Sequence, residues 1–127
     1  MPFYHAQVRP GLLTEAQRQR FAADVVEVHC DVTGAPPSFV HVLVTDDAGG
    51  LPEGRSAIVN GTIRAGRTDA QKAEIAGRLN RALADTAGVP VDTVHTSTRD
   101  IEASYTMEGG ALLPEPGSAE ERAWATG

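Results

Sequence analysis

Cysteine is almost absent: Cys30 is the single one among 127 residues. One thiol has no partner within the chain and cannot build a multi-cysteine zinc site, so folding without disulfides in a reducing compartment is expected. Long apolar runs are missing too. None approaches the roughly 20 residues that span a bilayer, and the N-terminus lacks the charged-then-apolar layout of a signal peptide. A cytoplasmic address with no membrane contact is expected. Basic charge is scarce as well, with 11 Lys and Arg against 17 Asp and Glu and a formal net charge of −6. Such a surface repels phosphate backbones, which argues against nucleic acid as a partner. His5, His29, His41 and His95 show no ligand spacing along one helix face. No glycine-rich loop follows a strand, so neither a metal nor a nucleotide cofactor is indicated.

What the chain does contain is repetition. Thr14-Glu15-Ala16-Gln17-Arg18 returns as Thr68-Asp69-Ala70-Gln71-Lys72, and Asp31, Gly34, Pro36, Val40, His41 and Asp46 return as Asp85, Gly88, Pro90, Val94, His95 and Asp100. Two copies are too few for a solenoid, so the pattern implies one supersecondary unit used twice about a pseudo-twofold axis. A chain of this length suits one domain, here 1–127, with repeats at 2–46 and 56–100 and a C-terminal arm at 101–127.

Each copy reads as strand, helix, strand. Residues 3 to 8 and 57 to 63 are β-prone, and each is followed by a threonine with glutamine three positions on, the signature of a capping box. Phe21, Val25, Val28 and Val32 recur at helical spacing in the first copy, as do Ile75, Leu79 and Ala82 in the second. Gly34 and Gly88, each followed two residues later by proline, end the helices. Return strands are expected at about 39–45 and 93–98. So short a return makes the paired strands parallel with a right-handed crossover. The expected fold is α+β: two β-α-β units forming a four-stranded mixed sheet with two helices on one face, plus a C-terminal hairpin or arm. The strand from Phe39 to Val44, apolar on both faces apart from His41, predicts contact with another subunit. Asp46 to Arg55, rich in Gly, Asp and Pro, reads as the loop between the copies.

Four places along the chain carry candidate chemistry. Pro2 follows the initiator methionine, and removal of Met1 would expose a secondary amine; burial or a nearby cation would poise it as a base near neutrality, whereas nearby carboxylates would keep it protonated as an acid. Arg64 and Arg67 precede the second helix, where the positive end of the helix dipole disfavours cations. They make sense if an anion completes the site, and a guanidinium fork matches a carboxylate; two solvated loop arginines are the plain alternative. His29 lies beside the apolar face of the first helix where the second copy has Leu83, and it can orient a carboxylate or serve a structural role. Glu108, in Met107-Glu108-Gly109-Gly110, could take a proton from water or be one of many surface carboxylates, alongside Glu102, Glu115, Glu120 and Glu121.

Together Pro2, His29, Arg64-Ala65-Gly66-Arg67 and Glu108 resemble the active-site set of the tautomerase superfamily, in its cis-3-chloroacrylic acid dehalogenase-like branch. The similarity continues through Leu113-Pro114-Glu115-Pro116-Gly117 and Glu120-Glu121-Arg122-Ala123-Trp124. It implies two β-α-β units, a homotrimer, and neither cofactor nor metal. By this resemblance Pro2 is the acid or base, Arg64 and Arg67 hold a small carboxylate substrate with help from His29, and Glu108 activates water in dehalogenating members. Two departures weigh against dehalogenation: the tyrosine that assists it falls at Ser97, beside Thr96 and well before Tyr105, and a histidine that can precede the first arginine is Ile63. A keto-enol tautomerase of a small 2-oxo acid is therefore expected. The alternatives are a hydratase or hydrolytic dehalogenase of cis-3-haloacrylate-type acids, and a non-catalytic trimeric carboxylate-binding protein.

Overall fold

The computed structural model describes residues 1–47 and 49–126. Position 48, within the expected inter-copy loop, and position 127, the end of the expected arm, lie outside the described residues. The first copy folds as β1 (Phe3–Val8), α1 (Glu15–Thr33) and β2 (His41–Asp46), and the second as β3 (Ala57–Arg64), α2 (Asp69–Ala87) and β4 (Val94–Ile101). The strands lie in the order β2-β1-β3-β4. β1 runs parallel to β2 and β3 parallel to β4, while the central pair is antiparallel. A two-fold relation between the copies requires that antiparallel centre.

Local chemistry sets the helix ends. Thr14 and Thr68 each accept a hydrogen bond from the backbone N–H of the glutamine three residues on, and each glutamine side chain accepts from the threonine N–H. An N-cap of this kind contributes roughly 1 kcal/mol. Gly34 and Gly88 close the helices at φ 74° and 71°, a conformation that burdens any residue with a Cβ. Between the caps, Phe21, Val25, Ile75, Leu79 and Leu83 are fully buried against Tyr4, Ala6, Val8 and Val59 of the central strands. Each large side chain there contributes roughly 1.5–3 kcal/mol by leaving water.

Period-two alternation sends Tyr4, Ala6 and Val8 toward the helices and Phe3, His5 and Gln7 to the opposite sheet face. The second return strand extends further than expected, and the first begins later. Proline at 36 and 37 starts a 3-10 turn, Pro37–Phe39, so Phe39 is not part of β2. It is buried instead in a second cluster with Met1, Ala103 and Leu113, against which Ile101 and Trp124 pack. β2 itself presents Val42 and Val44 to the core and leaves Leu43 half-exposed on the open sheet face.

The arm is more structured than its composition suggests. β5 (Met107–Glu108) and β6 (Ala111–Leu112) form a hairpin whose turn, Gly109-Gly110, has positive φ at both residues. A short helix follows, α3 (Ala119–Thr126), whose first free N–H groups include that of Glu121, donated to the Ser118 hydroxyl.

Candidate active site

The sequence-predicted residues converge at one end of the sheet, where β1 starts and β3 stops. Pro2 is fully buried behind Met1, and its carbonyl accepts the His41 N–H at 3.0 Å, so the parallel β1–β2 ladder fixes it. The α-amino group, here on Met1, forms an ion pair with Glu108, which the hairpin brings over it. Burial, and after it the charge of Arg64, lowers this amine from 8.0 to about 6. His41, which sequence reasoning did not select, approaches the same carboxylate from β2 with Nε2 at 3.7 Å.

Arg64, the last residue of β3, is 2% exposed and is no solvated loop residue. Ile63 points to the helices, so Arg64 points to the opposite side, where the arm crosses. There Nη1 donates to the Pro114 carbonyl at 2.7 Å, Nη2 pairs with the Glu121 carboxylate, and the guanidinium lies 5.2 Å from the centre of the Phe39 ring. Glu121 is therefore not one of a crowd of surface acids: it is 7% exposed, and its other oxygen accepts the Gly117 N–H at 3.1 Å.

Arg67 lies one residue before the N-cap of α2, yet its Nη1 reaches the Thr33 carbonyl at 3.4 Å, at the C-terminal and negative end of α1. The charges that looked misplaced against the α2 dipole are thus offset within the chain, Arg67 by α1 and Arg64 by Glu121. One group is left over: the buried Nε of Arg67 has no partner among the described residues. Burial and Arg64 both lower the proton affinity of Arg67.

His29 is 2% exposed on α1, and its Nδ1 lies 2.8 Å from the Tyr4 hydroxyl. Burial, followed by the charges of Arg67, Arg64 and the N-terminus, lowers its pKa from 6.5 to about 3, so it is neutral. The amine and both guanidiniums thus act on the imidazole in one sense, each disfavouring its proton. Thr96 and Ser97 do not join it: they bond to Asn80 and Asn60 respectively, and Tyr105 is 78% exposed. Among the described residues no three His, Cys, Asp or Glu side chains cluster as a metal centre requires, and no helix there is long and apolar enough to cross a membrane.

Over 96% of its length this chain superposes on 89% of the protein N1, described as a member of the cis-3-chloroacrylic acid dehalogenase family, with a TM-score of 0.85 and 30% identity. The chain belongs to the tautomerase superfamily, in its cis-3-chloroacrylic acid dehalogenase-like branch. The native protein Ps01740 is 34% identical, with a TM-score of 0.75 over 84% of this chain and 99% of that one. A fused 4-OT described as a symmetric trimer matches 87% of this chain and 94% of its own at a TM-score of 0.78, and at 23% identity it speaks to the fold alone. No protein-family model matches the chain, and neither does any curated protein. That family is one of enzymes, so this chain is an enzyme of that general kind.

Three groups at this end of a tautomerase-fold sheet escaped the sequence reading. Tyr4 gave only a strand-alternation signal, Glu121 stood among other acids in a run of family similarity with no role attached, and His41 was visible as a repeat identity with His95 and as the polar exception in an apolar strand.

Proposed function

We propose that the chain is a cofactor-independent keto-enol tautomerase of a small 2-oxo acid, working through the secondary amine of Pro2 after removal of Met1. The observation that carries this reading is the place of Pro2, buried at the start of β1 beneath Met1, whose own amine burial and Arg64 lower to about 6. A Pro2 amine freed at that end and lowered in the same way is largely neutral at pH 7 and can act as a base. In the proposed reaction the Pro2 nitrogen takes a proton from C3 of the keto acid. The C–H electron pair forms the C2–C3 double bond while the carbonyl electrons move to oxygen. Returning the proton to that oxygen gives the enol and restores the amine, so nothing is consumed. The reverse direction uses the same groups.

The roles of the two arginines divide on this reading. Both terminal nitrogens of Arg64 are engaged within the chain, so Arg64 supplies positive charge that depresses the amine and stabilises the enolate. Arg67, with its unpartnered Nε, takes the substrate carboxylate. His29, neutral and with one ring nitrogen on Tyr4, offers its other nitrogen to a substrate oxygen. The assembly proposed is a homotrimer: Phe3, Leu43, Tyr105, Met107 and Leu112 are exposed apolar side chains on the open sheet face and the arm, and a fused 4-OT of the same fold is a symmetric trimer.

One observation favours a second reading. Glu108 pairs with the amine, which favours its protonated form, and an ammonium beside a carboxylate is the acid and base needed to add water to an unsaturated acid. Assays with phenylenolpyruvate and with cis-3-haloacrylate separate the two. Intact mass with Met1 missing, enol turnover, and its loss in Pro2→Ala are expected; turnover of the haloacrylate alone would replace the first reading with the second. Retained Met1 without turnover of either would leave a carboxylate-binding protein.

A further inference from the structure

β1 alternation places Tyr4 on the helix side, directly opposite Gly61 of β3. A Cβ added at Gly61 would lie 2.5 Å from Cε1 and 2.8 Å from Cδ1 of the Tyr4 ring, closer than atoms pack. Gly61 has no positive φ, so its use here is room: glycine lets the tyrosine ring lie across the neighbouring strand. From that seat the ring meets His29 edge-on, with centroids 5.7 Å apart and planes at 71°, and the hydroxyl reaches Nδ1 at 2.8 Å.

The direction of that bond follows from satisfaction. Tyr4 is wholly buried, and among the described residues its hydroxyl has Nδ1 as its one partner. A phenol left without an acceptor there would forfeit the full cost of desolvation, about 1–3 kcal/mol, so its hydrogen goes to Nδ1. Nδ1 must then carry a lone pair, which puts the ring proton on Nε2. Burial raises the Tyr4 pKa and lowers that of His29, which keeps the phenol protonated and the imidazole neutral.

We propose that Tyr4 is a positioning residue which, seated against Gly61, holds His29 in its Nε2–H tautomer so that the imidazole presents a hydrogen-bond donor to the substrate. Tyr4 does not touch the substrate; it acts through His29. The part of this proposal that concerns substrate rests on the function proposed above, whereas the tautomer does not.

The test is nitrogen-15 NMR of histidine-labelled protein, wild type and Tyr4→Phe, with steady-state kinetics on the enol substrate. In the wild type the His29 signals should show a protonated Nε2 and an unprotonated Nδ1 that do not titrate down to pH 4. In Tyr4→Phe the Nδ1 and Nε2 shifts should move toward one another as the tautomers mix. Loss of a donor to the neutral ring should also raise its titration midpoint, and KM should increase roughly three- to tenfold, the worth of one hydrogen bond, with a smaller change in kcat. Gly61→Ala, which displaces the ring and keeps the hydroxyl, should reproduce the spectral change, so a Tyr4→Phe chain that fails to fold does not remove the test. A wild-type spectrum with protonated Nδ1 would overturn the proposal. So would variant spectra identical to wild type, or an unchanged KM alongside mixed tautomers. A wild type inactive on every 2-oxo acid would sink the proposed function, and the tautomer assignment would still stand or fall on the spectra.

Discussion

Replacing Glu121 with glutamine removes one charge and almost no volume, and its consequence can be worked from the contacts. One carboxylate oxygen receives Arg64 and the other receives the Gly117 N–H. An amide has a single acceptor oxygen, so whichever way it turns, its NH2 faces a donor. If it faces Arg64, a guanidinium 2% exposed loses the one carboxylate it pairs with among the described residues. Breaking a buried pair from one side costs roughly 3–5 kcal/mol. At about 4 °C per kcal/mol for a chain of this size, that predicts a fall in Tm of more than 10 °C, measured at fixed protein concentration. The arm can limit the loss by peeling away, which lets water reach Arg64. α3 holds to the sheet through Glu121 and through Trp124, stacked edge-on against Phe39 at 5.4 Å. A smaller fall should therefore come with lost amide-exchange protection across residues 118–124. A variant with Tm within 2 °C of wild type and full protection of the arm would refute the reasoning, because Arg64 would then be compensated without Glu121.

Other outcomes follow from the same geometry. The amine of the chain bearing Met1 should react with amine-specific reagents with a midpoint near pH 6 rather than near 8, read by mass spectrometry. Because its folded pKa lies below its unfolded one, the unfolded chain binds more protons between those values; the amine's stabilising contribution should be full above pH 8 and lost as pH falls through 6, a dependence that N-acetylation abolishes in denaturant titrations. Gly61→Ala should cost about 1–3 kcal/mol by overpacking against Tyr4, and removing the ring in Gly61→Ala/Tyr4→Ala should reduce the additional penalty of the alanine, a non-additivity measurable by chemical denaturation. Arg67→Ala should raise KM for a 2-oxo acid by more than tenfold with little change in Tm, whereas Arg64→Ala should lower Tm first, through the loss of Glu121, Pro114 and Phe39 contacts.

The comparison of sequence with structure divides along a physical line. Much that residues close in the chain decide was legible: both capping boxes, both glycine stops, the apolar helix faces and the β-α-β order of each copy. Even the late start of β2 was latent in the proline pair at 36 and 37, which cannot donate to a ladder. The gathering of Pro2, His29, Arg64, Arg67 and Glu108 at one end of the sheet was legible through the family resemblance and not through spacing.

The sequence by itself thus determined the two long helices, their ends and the parallel pairing within each copy, because those depend on periods of two and 3.6 and on side chains that bond three or four residues away. Tertiary structure alone decided which carboxylate meets Arg64, which helix end offsets Arg67, which hydroxyl meets the His29 ring, and what lies against the first amine of the chain. Those contacts join residues far apart in the chain. Such partners are chosen by how the packed elements bring buried polar groups together, where each must find an acceptor or an opposite charge, and no pattern along the chain encodes that choice.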